Sequence, residues 1–104
     1  MINDQNNKPV YDLEERTFQF EKSVRLFIKT IPRTLATIED SKQLVKASGS
    51  VGANYREANE ALCKKDFLMR IKISRKEAKE SGYWLRLIHE TNDFKNRDEA
   101  KRLL

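Results

Sequence analysis

Four cations recur at intervals of seven residues, Lys65, Lys72, Lys79 and Arg86, with Lys76 beside them and Tyr83 between the last two. On a helix that spacing sets them in one line, successive members about 10 Å apart along the axis. Such a row can contact phosphates, and each neutralised phosphate adds to the salt dependence of binding. It can equally be a solvated face balanced by Glu80 and Glu90. The chain's 21 Lys and Arg against 16 Asp and Glu give a net charge of +5 over 104 residues, which suits an acidic partner and equally a small domain kept soluble by surface lysines. Nucleic acid is the first such partner to consider.

A second group, Asn54, Glu57, Glu77 and Glu80, can meet between two helices, with Arg56, Arg75 or Lys76 as counter-charges. Inward carboxylates suit di-iron chemistry only with a Glu-x-x-His on each of two helices. The sole histidine is His89, and Arg86 stands three residues before it. No metal and no other cofactor is therefore expected. Asn54, Glu57 and Glu77 read instead as a polar seam, which fixes register and partner choice at some cost in stability. His89 falls near a helix end, where the dipole favours a cation. Cys63 is the only cysteine, so the chain holds no intramolecular disulfide. A thiol at a helix start can be reactive, but a capping slot is its simpler role. No phosphate-cradling glycine loop, zinc spacing or catalytic triad is present, and the protein is not expected to be an enzyme.

These residues must be positioned by helices. Three glycines and two prolines are too few turn signals for an all-β chain. A first helix, about 12–31, carries Leu13, Phe20, Val24, Phe27 and Ile31 in line, with Thr17 among them. Pro32 ends or kinks it, and Leu35 and Ile38 continue as a short helical piece. Asp40 with Gln43 signals the start of a second helix, about 41–62. Its seam is Leu44, Ala47, Val51, Asn54, Ala58 and Ala61. A third, about 64–91, aligns Phe67, Ile71, Ser74, Ala78, Ser81, Leu85 and Ile88. The two seams differ by one residue in register, which places a break near Cys63. Asn96 with Glu99 starts a short fourth helix over 97–104. Eight residues of helix, about 12 Å, cannot cover a third helix of about 40 Å. Either the bundle is incomplete or another subunit covers the remaining seam.

The second helix is unusual in its small residues, "SGSVGANYREANEA" from Ser48 to Ala61. Gly49 and Gly52 each cost about 1 kcal/mol relative to alanine inside a helix, so close approach of neighbouring groups is expected there. Phe20, Phe27, Phe67 and Trp84 are the candidates to lie against this backbone. Small residues on more than one side imply burial on more than one side, and hence self-association through Gly49, Gly52, Ala53 and Trp84. The competing possibility is that "SGSVG" forms a loop.

This stretch, with "KKDFLMRIKISRKEAKESGYWLRLI" after it, resembles proteins encoded by intervening sequences of bacterial 23S rRNA genes. Their wider superfamily includes the accessory variability determinant of diversity-generating retroelements. The resemblance covers about Phe18 to Ile88. It rests on Ser48, Ser50, Val51, Ala53, Asn54 and Glu57 of an S-x-S-[IV]-x-A-N-x-x-E pattern, and on the run from Lys76 to Leu85. Ala58 stands where the family often has glycine after the glutamate. The resemblance implies an up-down-up-down four-helix bundle, a homopentamer, and a basic surface for nucleic acid.

Together these readings predict an all-α domain over 11–104 behind a disordered tail, 1–10, which has little apolar surface to bury. The opening "MINDQNNKPVYD" carries neither a signal nor an anchor pattern, and no run approaches the about 18 apolar residues of a membrane span. A cytoplasmic location without membrane contact is expected. The expected function is non-enzymatic, oligomeric binding of RNA or DNA through Lys65, Lys72, Lys76, Lys79 and Arg86, with a role as accessory to a nucleic-acid enzyme open to it. A structural or protein-partner scaffold is the alternative, and an unrecognised enzyme a distant third.

Overall fold

The computed structural model describes residues 8–92. The expected fourth helix, 97–104, and the first seven residues of the expected tail lie outside them. Among the described residues the chain is all-α, with three helices and no strand: α1 (Lys8–Ile28), α2 (Leu35–Asn59) and α3 (Lys64–Thr91). The first helix begins at Lys8, inside the stretch expected as tail, and ends at Ile28, ahead of Pro32. The four-helix bundle expected from the sequence is thus a three-helix arrangement over these residues.

The start of α2 corrects the expected boundary. Thr34 is the N-cap, and Thr37 answers it: Thr37 N donates to Thr34 Oγ1 at 3.1 Å while Thr34 N donates to Thr37 Oγ1 at 2.8 Å. Thr37 Oγ1 also donates to Pro32 O at 2.6 Å, so one buried hydroxyl joins the connection to the helix. This reciprocal pair satisfies two backbone donors six residues before the Asp40–Gln43 signal. Leu35 and Ile38 therefore belong to α2 and form no separate piece. "SGSVG" is helical throughout, which excludes the loop. The break near Cys63 is present: α2 stops at Asn59 and Cys63 is the N-cap of α3, with extended backbone and no side-chain capping bond.

Short connections, 29–34 and 60–63, make neighbouring helices antiparallel. Both α1 and α3 pack on α2, α3 more extensively, with no close backbone approach between α1 and α3. The result is a flat body of 47 × 29 × 16 Å. Its apolar core is gathered at one end, where Val24, Phe27 and Ile31 meet Leu44, Leu85 and Ile88, with Phe20, Ile28 and Trp84 packed against them.

Away from that core the helices are held by polar contacts. Ser74 Oγ donates to Val51 O at 2.8 Å, and Arg70 Nη1 donates to Asn54 Oδ1 at 3.1 Å, joining α3 to α2. Between α1 and α2, Asn59 Nδ2 donates to Glu14 Oε2 at 2.7 Å and the buried Ser48 hydroxyl donates to Glu21 Oε1. Arg25 Nε reaches the other Glu21 oxygen at 2.6 Å.

The expected aromatic grip on α2 is corrected by these contacts. A Cβ at Gly52 would come 3.2 Å from Thr17 Oγ1, and one at Gly49 would come 3.5 Å from Glu21 Oε2. Position 17 follows 14 and precedes 21 and 24 at threes and fours, so this polar edge of α1 faces α2. The aromatic residues Phe20 and Phe27 lie on the neighbouring stripe, which turns towards the core and α3.

Candidate nucleic-acid interface

The inner and outer faces of α3 are chemically opposite. Ser74, Ser81, Leu85 and Ile88 are buried on α2 and the core, while Lys72, Lys76 and Lys79 are exposed. Each residue of a helix is rotated about 100° from the last, which puts 72, 76 and 79 nearly opposite 74, 81 and 88. The cations are thus held outward by the same periodicity that buries the seam.

On this outer face Lys72, Arg75, Lys76, Lys79, Glu80 and Tyr83 line one shallow trough. Elsewhere, Arg16, Arg25, Lys42, Arg56 and Arg86 form ion pairs with Asp12, Glu21, Glu39, Glu14 and Glu90. None of the trough's four cations has a carboxylate within ion-pair distance among the described residues. Unneutralised charge along one groove attracts a polyanion and raises its local concentration.

The sequence-selected cations divide into three situations. Lys72, Lys76 and Lys79 come together in the trough. Lys65, exposed in the first turn of α3, lines a separate concavity with Cys63, Asp66, Leu68, Met69 and Lys72. Arg86 continues the row but is bound to Glu90 at 3.3 Å. Arg75, a counter-charge in the sequence reading, belongs to the trough; its spacing of three from Lys72 is the signal for this, since i and i+3 are surface neighbours.

The polar seam is not assembled as a unit. Asn54 spans α2 and α3 through Arg70, and its Nδ2 donates to Ser50 O at 2.9 Å. The Glu57 side chain is exposed, and neither it nor that of Glu77 joins Asn54 by a hydrogen bond or ion pair among the described residues. Nor do any three His, Cys, Asp or Glu side chains among those residues converge as a metal site would need. Cys63 is a free, exposed thiol. His89 is in the last turn of α3, its Nδ1 buried with no hydrogen-bond partner among the described residues. No described helix is long and apolar enough to cross a membrane.

Of the expected subunit contacts, Gly49 and Gly52 already face α1. Ala53 is exposed on the outward side of α2, between Lys46 and Glu57 at helical spacing. Trp84 is half-buried and packs on the core, with its ring 5.0 Å from that of Tyr83 at an interplanar angle of 80°. Half-buried Ile73 and Leu87 share its flank of α3. A further groove separates α1 from α3: Leu13, Arg16, Thr17 and Phe20 form one wall, Ala78, Gly82 and Leu85 the other, and Val51 lies between.

A family model described as 23S rRNA-intervening sequence protein matches residues 11–104. The chain is also similar to a crystal structure from Bacteroides thetaiotaomicron, a protein of unknown function from the S23 ribosomal protein family. The two share 25% identity over 90% of this chain and 89% of that one, with a TM-score of 0.74. None of the curated proteins matches.

Proposed function

The chain belongs to the 23S rRNA-intervening sequence protein family, and from that premise we propose that it binds RNA or DNA, without catalysis, through the outer face of α3. The observation that carries this reading is the trough, which gathers Lys72, Arg75, Lys76 and Lys79 on one shallow face with no carboxylate at ion-pair distance among the described residues. A short row of this kind binds weakly when single, and repetition on several subunits multiplies it. The protein self-associates, as a homopentamer by the family resemblance, through the Trp84 flank of α3 and the outward side of α2 near Ala53. By the family resemblance the fold is a four-helix bundle, in which a fourth helix would lie over the groove between α1 and α3. Leu13 and Phe67, each 39% exposed, and exposed Ala78 lie along the seams that such a helix or a second subunit would cover. The protein works in the cytoplasm, as accessory to a nucleic-acid enzyme.

A protein-partner scaffold is the second reading, favoured by the apolar exposure of Leu68 and Met69 beside Cys63 and Lys65. Fluorescence anisotropy with random-sequence RNA and DNA separates the two. Salt-sensitive binding is expected for the wild type and is abolished by combined Lys72→Glu, Lys76→Glu and Lys79→Glu. Absence of binding by the wild type at low salt transfers the conclusion to the scaffold.

A further inference from the structure

We infer that the α3 trough accepts single-stranded rather than duplex nucleic acid, with Tyr83 as the platform on which one base stacks. This deepens the nucleic-acid reading above and rests on it. Tyr83 is 60% exposed and lines the same trough as the cations. It follows Lys79 by one helical turn, about 6 Å along the axis. Its ring is braced edge-to-face at 5.0 Å by Trp84, which itself packs on the apolar core. An aromatic ring held against a fixed neighbour loses less freedom when a base lands on it than a free one does.

The distribution of charge points to one strand. Lys72, Lys76, Lys79 and Tyr83 fall within an arc of about 60° on the helix, and Arg75 widens it to about 100°. One narrow row matches one phosphate backbone. Gripping a duplex through its major groove would instead need cations on both flanks of a helix, facing two strands about 12 Å apart. Glu80 lies at the edge opposite Arg75, so it repels phosphates there and leaves the Arg75 side as the favourable path for one strand. The bases of a single strand are free to leave their own stack, whereas those of a duplex offer Tyr83 no open face.

The test uses the full chain with a fluorescein-labelled 15-nucleotide oligothymidine and a 15-base-pair DNA duplex, titrated at several salt concentrations. The single strand is expected to bind more tightly. Tyr83→Ala is expected to weaken it at least about fivefold, the lower end of what stacking on one base contributes, with the salt slope unchanged and duplex binding little altered. Tyr83→Phe restores the single-strand affinity. Lys79→Ala weakens both ligands and flattens the salt dependence by about 0.7–0.9 in slope. Circular dichroism melting confirms that each variant is folded. Duplex binding as tight as single-strand binding, or indifference to Tyr83→Ala, overturns the stacking platform and leaves the cationic face standing. Failure of both ligands to bind at low salt overturns both.

Discussion

Gly52 of α2 lies directly beneath Thr17 of α1, so that a methyl group at position 52 would stand 3.2 Å from Thr17 Oγ1 and 3.4 Å from its Cβ. That hydroxyl is itself fixed, donating to Glu14 O at 3.0 Å. The glycine thus allows a polar edge of α1 to reach the α2 backbone.

The three glycines should therefore respond differently to alanine. Gly82 has open space around a new Cβ, and Gly49 would make only ordinary contact with Glu21. Gly82→Ala and Gly49→Ala are expected to gain up to about 1 kcal/mol from helix propensity. Gly52→Ala is expected to lose that gain or to destabilise, and Thr17→Ala in the same chain to restore it. Urea unfolding of the three glycine variants, of Thr17→Ala alone and of the Gly52→Ala, Thr17→Ala double mutant checks this coupling.

Thr37 should be sensitive for its oxygen. Its hydroxyl serves both the Thr34 amide and Pro32 O from a buried position. Thr37→Val keeps the shape and removes the bonds, and the expected loss is about 1–3 kcal/mol. Thermal melts would read it as a lower Tm, whereas Gln43→Ala, on the start signal that the chain does not use, should leave Tm nearly unchanged.

The buried stripes were legible because their spacing is helical: Val24, Phe27, Ile31, Leu44, Ala47, Val51, Ala58, Ser74, Ser81, Leu85 and Ile88 are all buried as expected. Phe20, Asn54, Ala61 and Ile71 on the same lines are half-buried, and Leu13, Phe67 and Ala78 are exposed, since periodicity identifies a face without saying what covers it. The α2 start is six residues earlier than the Ser/Thr/Asp-x-x-Glu/Gln pattern indicates, because Thr37 takes the place of Glu or Gln, its hydroxyl being both donor and acceptor. Small residues at 49 and 52 indicate close approach but not by what: Thr17 and Glu21, not aromatic rings, meet them because which stripe of α1 faces α2 depends on how the helices are rotated. In the trough, a heptad template found Lys72 and Lys79 but left Arg75 aside, because a repeat of seven follows one line and omits the flank.

The core at one end should carry most of the stability. Leu85 is fully buried among Val24, Phe27, Leu44 and Ile88. Leu85→Ala is expected to cost about 2–5 kcal/mol, while Met69→Ala, on the exposed face, should change unfolding free energy by less than about 0.5 kcal/mol. Val51→Arg is expected to unfold the chain, since Val51 is buried and its carbonyl holds Ser74.

Self-association can be tested without disturbing the fold. Ala53 is exposed, so Ala53→Arg should leave the melting behaviour of the individual chain intact. If the outward side of α2 is a subunit contact, light scattering will show the variant dissociated into smaller species. An unchanged mass would remove Ala53 from the interface.

The cationic face itself is most directly tested by lysine acetylation footprinting, read by mass spectrometry with and without bound oligonucleotide. Protection confined to Lys72, Lys76 and Lys79, with exposed Lys22, Lys29 and Lys46 modified as before, is the predicted result. Protection of Lys22, Lys29 and Lys46 with Lys72, Lys76 and Lys79 left reactive would contradict it.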